Sequence, residues 1–305
     1  MYLQKRIEEY LDYCKYRKEL NRNTLKAYRI DLNQFIQHMP EEEPSKDEIE
    51  KYITLLHKNF KQKTIKRKIA SIKAFYRYLE ERELLEKENP FHKIRLKFKE
   101  KSVLPKTIPR RYIEQLLNYM YRCKQVRTKN KKRNIIRDLS VVELLFATGM
   151  RVGEISKLKE DSIDLESGMI YIIGKGDKER NIQIVDEDVL NLLKEYIALR
   201  DKKRSDSNYF FKNERGTRYT EQSIRIMIKK YTREAGINMK ITPHMFRHSF
   251  ATYLIEEGVD ISCLRTLLGH SSIKTTQIYV YVAVKMQAEI LKRKHPRNKM
   301  NIMTR

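Results

Sequence analysis

The chain of 305 residues is strongly basic: 65 lysines and arginines stand against 40 aspartates and glutamates, giving a formal net charge of +25. Its length is typical of two domains, and a hydrophobic fraction of 40% is sufficient for buried cores. With nine glycines and seven prolines, the composition disfavours a loop-rich, all-β architecture. The charge indicates a polyanionic partner, most commonly nucleic acid, although a basic protein without such a partner is the alternative.

Membrane and secreted proteins are disfavoured by the sequence. No apolar run reaches the about 18 residues of a membrane-spanning helix, and the start, MYLQKRIEEY, lacks the apolar centre of a secretory signal. The three cysteines, Cys14, Cys123 and Cys263, are odd in number and widely separated, which fits neither a disulfide framework nor a zinc site. We therefore expect a cytoplasmic protein in a reducing compartment, with no membrane partner.

Residues 1–98 are predicted to form a small helical domain. Apolar side chains over 25–39 recur at steps of three and four, as on one face of a helix, and Asn23 is placed to cap its start. Ser45 followed by Glu48 is the capping-box pattern that begins the next helix. The spacing thus predicts helices that each bury one face in a shared core.

A further helix follows Thr64 and combines an apolar stripe over 65–79 with a strongly basic opposite face. We interpret the apolar stripe as core. The basic face is either a solvated surface or a phosphate-binding surface, and the second is favoured because few acidic residues balance the charge. The candidate DNA-binding residues are Lys63, Lys66, Arg67, Lys68 and Arg77.

The last helix of this domain is expected to end at Asn89-Pro90, since the residue before a proline is pushed out of the helical region. Residues 99–108 are basic and without clear period, and are predicted to link the domains. The second domain, 109–305, begins with a helix over 110–121. The basic segment 122–137 that follows is either a solvated loop or a loop that touches DNA.

Within the second domain, the periodicity changes from helical to alternating over 162–185, where turns at Gly168 and 174–178 separate three short runs. This pattern predicts a small antiparallel sheet. The fold class is therefore mainly α with a small antiparallel β-sheet. The other helices are predicted to include 139–146, ending at Gly149, and to cover 188–199, 221–234, 243–257, 260–268 and about 283–293.

The sequence carries no motif for a common cofactor. Gly174-Lys175-Gly176 lacks the other residues of a Walker A loop, and the histidines lack the H-E-x-x-H pattern of a zinc protease. No pair of acids suits a two-metal nuclease. We therefore expect no cofactor, neither a nucleotide nor a metal ion.

Four short segments are informative in combination. Each is weak alone, because an isolated arginine is usually a surface residue and a lone histidine is more often structural than catalytic. The segments are Thr148–Glu154, with Arg151 and Glu154 three apart; the turn that contains Lys175; the helix with His244 and Arg247 three apart; and Leu267–His270, followed nine residues later by Tyr279.

In this order and spacing, the segments resemble the tyrosine recombinase (phage integrase) family, and most closely its Xer-type recombinases. The resemblance covers nearly the whole chain and includes the softer matches 64–69 and 75–79 in the first domain. It implies a helical, SAM-like core DNA-binding domain over 1–98 and a mixed α/β catalytic domain over 109–305. It also implies an enzyme that breaks and rejoins DNA without a metal or ATP.

The resemblance assigns Tyr279 as the nucleophile, which attacks a DNA phosphodiester to form a 3′-phosphotyrosyl bond. Arg151 and Arg247 would hold the non-bridging oxygens with forked, permanently charged donors. Lys175 would protonate the leaving 5′-oxygen, with Lys178 on the same turn as the competing lysine. The other implied roles are proton transfer or phosphate binding by His244, a hydrogen bond to the phosphate from His270, and orientation of neighbouring groups by Glu154.

The segment after Tyr279 is predicted to form an amphipathic helix. It either packs on its own domain or, as the resemblance favours, docks into a neighbouring subunit. The resemblance implies a tetramer on two double-stranded DNA sites, either a homotetramer or a heterotetramer with a related recombinase. The alternatives are a transposon- or phage-encoded integrase or resolvase of the same family, a type IB topoisomerase, and a non-catalytic DNA-binding protein with the same fold.

Overall fold

The computed structural model describes residues 2–39, 44–94, 106–125, 129–173, 179–200, 207–269 and 292. The chain divides into two compact units, Met1–Lys101 and Ser102–Arg305, each with its own hydrophobic core. Both are mainly helical, and the second also contains a three-stranded antiparallel sheet. The predicted fold class is confirmed. No helix in the described part of the chain is long and apolar enough to cross a membrane.

Among its described residues, the first unit contains α1 (Tyr2–Tyr16), α2 (Arg22–Ile36), α3 (Lys46–Asn59), α4 (Gln62–Glu81) and a 3₁₀ turn (Pro90–Lys93). Asn21, not the predicted Asn23, caps α2, since its Oδ1 accepts the backbone N–H of Thr24 at 3.0 Å. The capping box predicted for Ser45 and Glu48 is confirmed: each side chain accepts the backbone N–H of the other residue.

Helix α4 buries its apolar stripe, as predicted, with Ile65, Ile69 and Phe75 in the core. Lys68 lies on the same side and is only 2% exposed; its Nζ is 3.1 Å from Oδ1 of Asp31 on α2, which is fully buried. The prediction that Lys68 contacts DNA is therefore wrong. A buried carboxylate on α2 requires a buried cation, and Lys68 supplies it instead of joining the basic surface.

The other four candidate DNA-binding residues of α4 lie on its exposed side. Arg67 also reaches inward to contact Asp31, and Arg77 pairs with Glu81 at 2.8 Å. Their contact with DNA stays a prediction. The exposed residues are Lys63, Lys66, Arg67 and Arg77.

Helix α4 ends at Glu81, well before the predicted end at Asn89-Pro90. Glu83 adopts a positive φ of 54°, which turns the chain out of the helix. Asn89 instead begins the 3₁₀ turn by accepting the Phe91 N–H on its side chain at 3.1 Å. Because Phe91 and Ile94 are buried, the chain after α4 returns to the core of the first unit.

The described elements of the second unit are α5 (Arg110–Cys123), α6 (Lys129–Thr148), α7 (Val152–Lys157), a 3₁₀ turn (Glu160–Ser162), β1 (Ile163–Asp164), β2 (Met169–Ile173), β3 (Glu179–Gln183), α8 (Glu187–Leu199), α9 (Glu221–Glu234), α10 (Pro243–Glu256) and α11 (Ile261–Leu268). Ile170 pairs with both Ile163 and Ile182, so the alternating isoleucines turn one face of the sheet to the core. Helix α6 packs against α5, α8, α9 and α10.

The basic segment 122–137, predicted to be a loop, is helical over 129–137, which makes the loop interpretation wrong there. Residues 126–128 lie outside the described part. Ile136 is fully buried, and the guanidinium of Arg137 is buried with its Nη2 2.7 Å from Oδ1 of Asp138. The basic residues from 129 onward lie in the first turns of α6, whose buried face begins within the segment.

The residues just before α5 are anchored on α10. Ile108 is fully buried, and its backbone N–H donates to the Ser249 hydroxyl at 2.7 Å while its carbonyl accepts the Tyr253 hydroxyl. Residues 99–105 of the predicted linker lie outside the described part. The linker does not extend to its predicted end at residue 108, because Ile108 belongs to the core of the second unit.

Candidate active site

The turn between α6 and α7 fixes Arg151 and Glu154. Gly149 ends α6 with a φ of 61°, and a Cβ there would lie 2.5 Å from a ring carbon of Phe250, so the turn requires glycine. The Glu154 carboxylate accepts the backbone N–H of Arg151 at 2.7 Å and its Nη1 at 2.8 Å. Arg151 is thus held at both its backbone and its guanidinium, with 40% of its side chain exposed.

Arg247 is positioned by α10, on the inward side of that helix. It is 5% exposed, and it donates from Nη1 to the Gly149 carbonyl at 2.8 Å and from Nη2 to the Leu268 carbonyl at 2.5 Å. A fully charged group is tolerated at this depth because backbone carbonyls replace its water. The guanidinium therefore has little freedom to rotate.

The C-terminal end of α11 brings the two predicted arginines together. Arg151 Nη2 lies 3.4 Å from the Gly269 carbonyl, next to the Leu268 carbonyl that Arg247 contacts. Gly269 adopts a φ of 59°, which is the left-handed cap that ends α11. Arg151 and Arg247, about a hundred residues apart in the sequence, thus contact two consecutive carbonyl groups at the end of α11. The combination of motifs predicted that the two arginines lie close together.

Arg180 on β3 also belongs to this cluster, although it was not among the predicted site residues. Its Nη2 lies 2.7 Å from Oε2 of Glu154, and its Nη1 donates to the Leu268 carbonyl. Burial, which Glu154 only partly offsets, lowers the pKa of Arg180, and the positive charge of Arg151 adds to this effect. One signal for it is present in the sequence, an arginine five residues after Lys175, but an alternating strand pattern does not show that this side chain is buried.

His244 lies one turn before Arg247 on α10 and is exposed. Partial desolvation and the positive charges of Arg225, Arg247 and Arg151 lower its pKa. At neutral pH the imidazole is therefore uncharged and can accept a proton. His248, one turn further on, has a pKa that is lowered mainly by burial.

Three predicted catalytic residues, Lys175, His270 and Tyr279, lie outside the described residues, as does all but residue 292 of the predicted terminal helix 283–293. The described residues place Arg151, Glu154, Arg247 and His244 in one region. Across the described ranges, no cluster of three or more histidine, cysteine or acidic side chains is arranged to hold a metal ion.

Residues 106–286 match the phage integrase family, and residues 7–83 match the N-terminal SAM-like domain of phage integrases. The chain belongs to the tyrosine recombinase (phage integrase) family. Its members are enzymes that break and rejoin DNA strands.

Individual relatives of this tyrosine recombinase match over almost their whole length. A protein named tyrosine recombinase from Agathobacter rectalis is 47% identical over 299 residues, covering 97% of each chain. A protein named tyrosine recombinase XerD from Staphylococcus haemolyticus is 36% identical, covering 95% of this chain and 98% of its own. The structure of the XerH site-specific recombinase bound to palindromic difH substrate, a post-cleavage complex, is 23% identical, covers 92% and 83% of the two chains, and has a TM-score of 0.73. This last likeness shows the same fold.

The recombinase has a second basic surface near the site, which the sequence analysis also missed. Helix α9 buries Ile224, Met227 and Ile228 and turns basic side chains outward. The signal was present as basic residues at steps of three and four opposite an apolar stripe. These exposed basic residues are Arg225, Lys229, Lys230 and Arg233.

Proposed function

We propose that this enzyme is a site-specific recombinase that cleaves and rejoins double-stranded DNA through a 3′-phosphotyrosyl bond to Tyr279. The observation that carries the proposal is the meeting of Arg151 and Arg247 at Leu268–Gly269, immediately before His270 in the chain. Two fixed guanidiniums near a histidine of lowered pKa suit the displacement of an oxygen from an anionic phosphodiester.

The arginines would stabilise the charge that develops on phosphorus. In the pentacoordinate transition state, the non-bridging oxygens carry more negative charge than in the diester, so donors fixed beforehand bind that state better. Each such donor typically contributes about 3 kcal/mol to transition-state stabilisation. Glu154 is the orienting residue, because it holds Arg151 at two points.

The covalent step is a balanced displacement. The phenolic oxygen of Tyr279 forms a bond to phosphorus, the bond from phosphorus to the 5′-oxygen breaks, and the phenolic proton is lost, with neutral His244 as the acceptor. Lys175 gives a proton to the departing 5′-oxygen, and His270 donates a hydrogen bond to the phosphate. Attack by another 5′-hydroxyl reverses these bond changes and rejoins the strand, so the energy of the phosphodiester is conserved.

The assembly in this proposal is a tetramer on two DNA sites, of one protein or of two related recombinases. The first unit is its core DNA-binding domain and the second its catalytic domain. The net charge of +25 and the exposed basic sides of α4 and α9 favour double-stranded DNA as the partner. The full-length likeness to proteins named XerD favours an Xer-type recombinase over an integrase of a mobile element.

The test begins with a duplex library that has a random central segment. Protein–DNA adducts are trapped with detergent, and their 3′ ends are sequenced to map the cleaved phosphate. A duplex with that site and a nick just beyond it then serves as a substrate from which the 5′-hydroxyl fragment escapes. The wild-type protein is expected to accumulate a covalent adduct, and Tyr279→Phe none.

A second arm tests the assembly. Two copies of the mapped site on one plasmid are expected to give recombinant products and a tetramer on DNA. Relaxation of supercoils by a monomer, without recombinants, would instead identify a topoisomerase. DNA binding without any adduct would identify a non-catalytic protein, and an adduct with Tyr279→Phe would show that the nucleophile is another residue.

A further inference from the structure

Arg180 contacts two groups of the site, although the function proposed above gives it no role. Its Nη2 lies 2.7 Å from Glu154, and its Nη1 donates to the Leu268 carbonyl. The same carbonyl accepts Arg247 Nη2 at 2.5 Å. One side chain of β3 therefore contacts a partner of each phosphate-binding arginine.

The two contacts restrain different groups. Glu154 Oε1 holds the guanidinium of Arg151, while Oε2 holds both the backbone N–H of Arg151 and Arg180. Without Arg180, the carboxylate would lose its contact with β3, and its rotation about the last side-chain bond would be less restricted. The Leu268 carbonyl would likewise keep Arg247 alone, and the orientation of that peptide would be less restricted.

The buried position of the Arg180 side chain is unfavourable for the stability of the fold. It is buried to 12% side-chain exposure beside the like charge of Arg151, and both effects lower its pKa. Its Nε is buried and has no acceptor among the described residues. A Cβ on Gly269 would lie 2.4 Å from its Nη1, so a side chain at position 269 would displace the guanidinium. Buried, partly unsatisfied charge is destabilising, which favours a role in the reaction.

Arg200, also in the second unit, makes the same kinds of contact as Arg180 but has no partner in the candidate active site. Arg200 has 10% side-chain exposure, and it donates to Glu160 at 2.6 Å and to the Phe210 carbonyl at 3.2 Å. It therefore bridges a carboxylate and a carbonyl just as Arg180 does. The difference is that the partners of Arg180 are also the partners of Arg151 and Arg247.

We propose that Arg180 is a positioning residue for strand cleavage: it holds Glu154 against Arg151 and shares the Leu268 carbonyl with Arg247, so that both guanidiniums meet the scissile phosphate in a fixed orientation. This proposal rests on the proposed function, in which those two arginines bind that phosphate. Lysine is not expected to replace Arg180, because its three N–H donors share one nitrogen, whereas Arg180 reaches its two partners from separate nitrogens of a planar guanidinium.

The experiment compares full-length wild type, Arg180→Gln and Arg180→Lys on the mapped nicked duplex. Affinity is measured by fluorescence anisotropy, and the rate constant of adduct formation is measured with protein in saturating excess. Both variants are expected to bind the duplex as the wild type does and to cleave it about 10- to 100-fold more slowly, as expected when catalytic groups are misplaced by about an ångström.

Two controls separate positioning from folding. Arg200→Gln removes an equivalent bridge and is expected to lower the thermal midpoint similarly, with cleavage by the folded protein unchanged. In a double-mutant cycle, Arg180→Gln is expected to slow cleavage much less when Glu154 is already glutamine, because the two residues act together.

Equal cleavage rates for Arg180→Gln and Arg200→Gln would overturn the proposal, as would an undiminished effect of Arg180→Gln in the Glu154→Gln background. Adduct formation by the wild type would still stand in either case. Absence of an adduct with the wild type would instead overturn the proposed function, and the positioning role with it.

Discussion

A basic side chain of this protein can contact DNA only where the fold does not bury it against an acidic residue. Lys63 and Lys68 lie on the same helix, but Lys68 is buried against Asp31 whereas Lys63 is exposed. Removing one member of a buried ion pair leaves the other charge uncompensated, which is far more costly than removing an exposed charge.

Because Arg67 also contacts Asp31, Lys68→Ala removes one of its two cationic partners. We expect this change to destabilise the protein by about 1–3 kcal/mol, whereas Lys63→Ala changes stability by about 0.5 kcal/mol or less. Lys63→Ala is expected to weaken DNA binding and to reduce its salt dependence. Calorimetry and anisotropy of the full-length variants measure the two effects. A stable Lys68→Ala protein with weakened DNA binding would show that the buried pair is not structural.

The pH dependence of cleavage is expected to follow His244. Partial burial and the neighbouring positive charges lower the pKa of His244, so its neutral, proton-accepting form persists to lower pH than that of an ordinary histidine. Arg225→Gln removes one of these charges, which raises the pKa of His244. The acidic limb of the pH–rate profile should therefore move to higher pH, as measured by single-turnover cleavage at saturating protein.

Lys229→Gln is the matched control for this prediction. It removes one positive charge from the same face of α9, but Lys229 is not among the groups that lower the pKa of His244. It is expected to weaken binding without moving the acidic limb. If the acidic limb of the pH–rate profile is the same for Arg225→Gln and the wild type, a group other than His244 controls it.

The sequence predicted the residues that motifs mark and missed those that tertiary contacts create. Arg151, Glu154, His244 and Arg247 could be named because their spacing is characteristic. Arg180 could not, since its partners lie 26 and 88 residues away and nothing local shows its burial. The catalytic roles of all these residues stay predictions until cleavage is measured.

At the level of elements, the end of α11 is the most constrained point of the site. Gly269 has a positive φ, and a Cβ there would meet the guanidinium of Arg180. Gly236, which follows α9, has a φ of 69° but no described atom within 4 Å of an added Cβ. Both glycines therefore require a positive φ, but only at Gly269 would an added Cβ also contact a described side chain.

Gly236→Ala is expected to cost about 1–2 kcal/mol for the left-handed conformation alone, with cleavage unchanged. Gly269→Ala should cost more and should also slow cleavage, because it displaces Arg180. Thermal unfolding and single-turnover cleavage compare the two variants. Equal effects in both measurements would mean that Arg180 moves aside without consequence.

Most elements followed from periodicity, and the exceptions have identifiable causes. The loop prediction is wrong for the first turns of α6 because lysines and arginines obscure a helix that becomes apolar only at Ile135 and Ile136. The end of α4 was placed at Asn89-Pro90, but a left-handed Glu83 ended it earlier. A non-glycine residue in that conformation has no reliable sequence signal.

For the whole molecule, the charge of +25 predicts binding that depends steeply on salt. Neutralising several phosphates releases their counterions, so affinity for the mapped duplex is expected to fall about 10³-fold or more between roughly 50 and 200 mM salt. Anisotropy titrations over this range give the slope. A shallow slope would show that the basic surfaces face away from DNA.

The anchoring of Ile108 on α10 determines where this recombinase can be joined to a relative. A chimaera that exchanges the first unit would replace the core side chain of Ile108 if the joint fell at Pro109, and the new residue would have to keep the backbone hydrogen bonds to Ser249 and Tyr253. Since His244 and Arg247 are on the same helix, such a joint would disturb it directly. Hybrid recombinases with altered site preference should therefore keep the native residues from 106 onward.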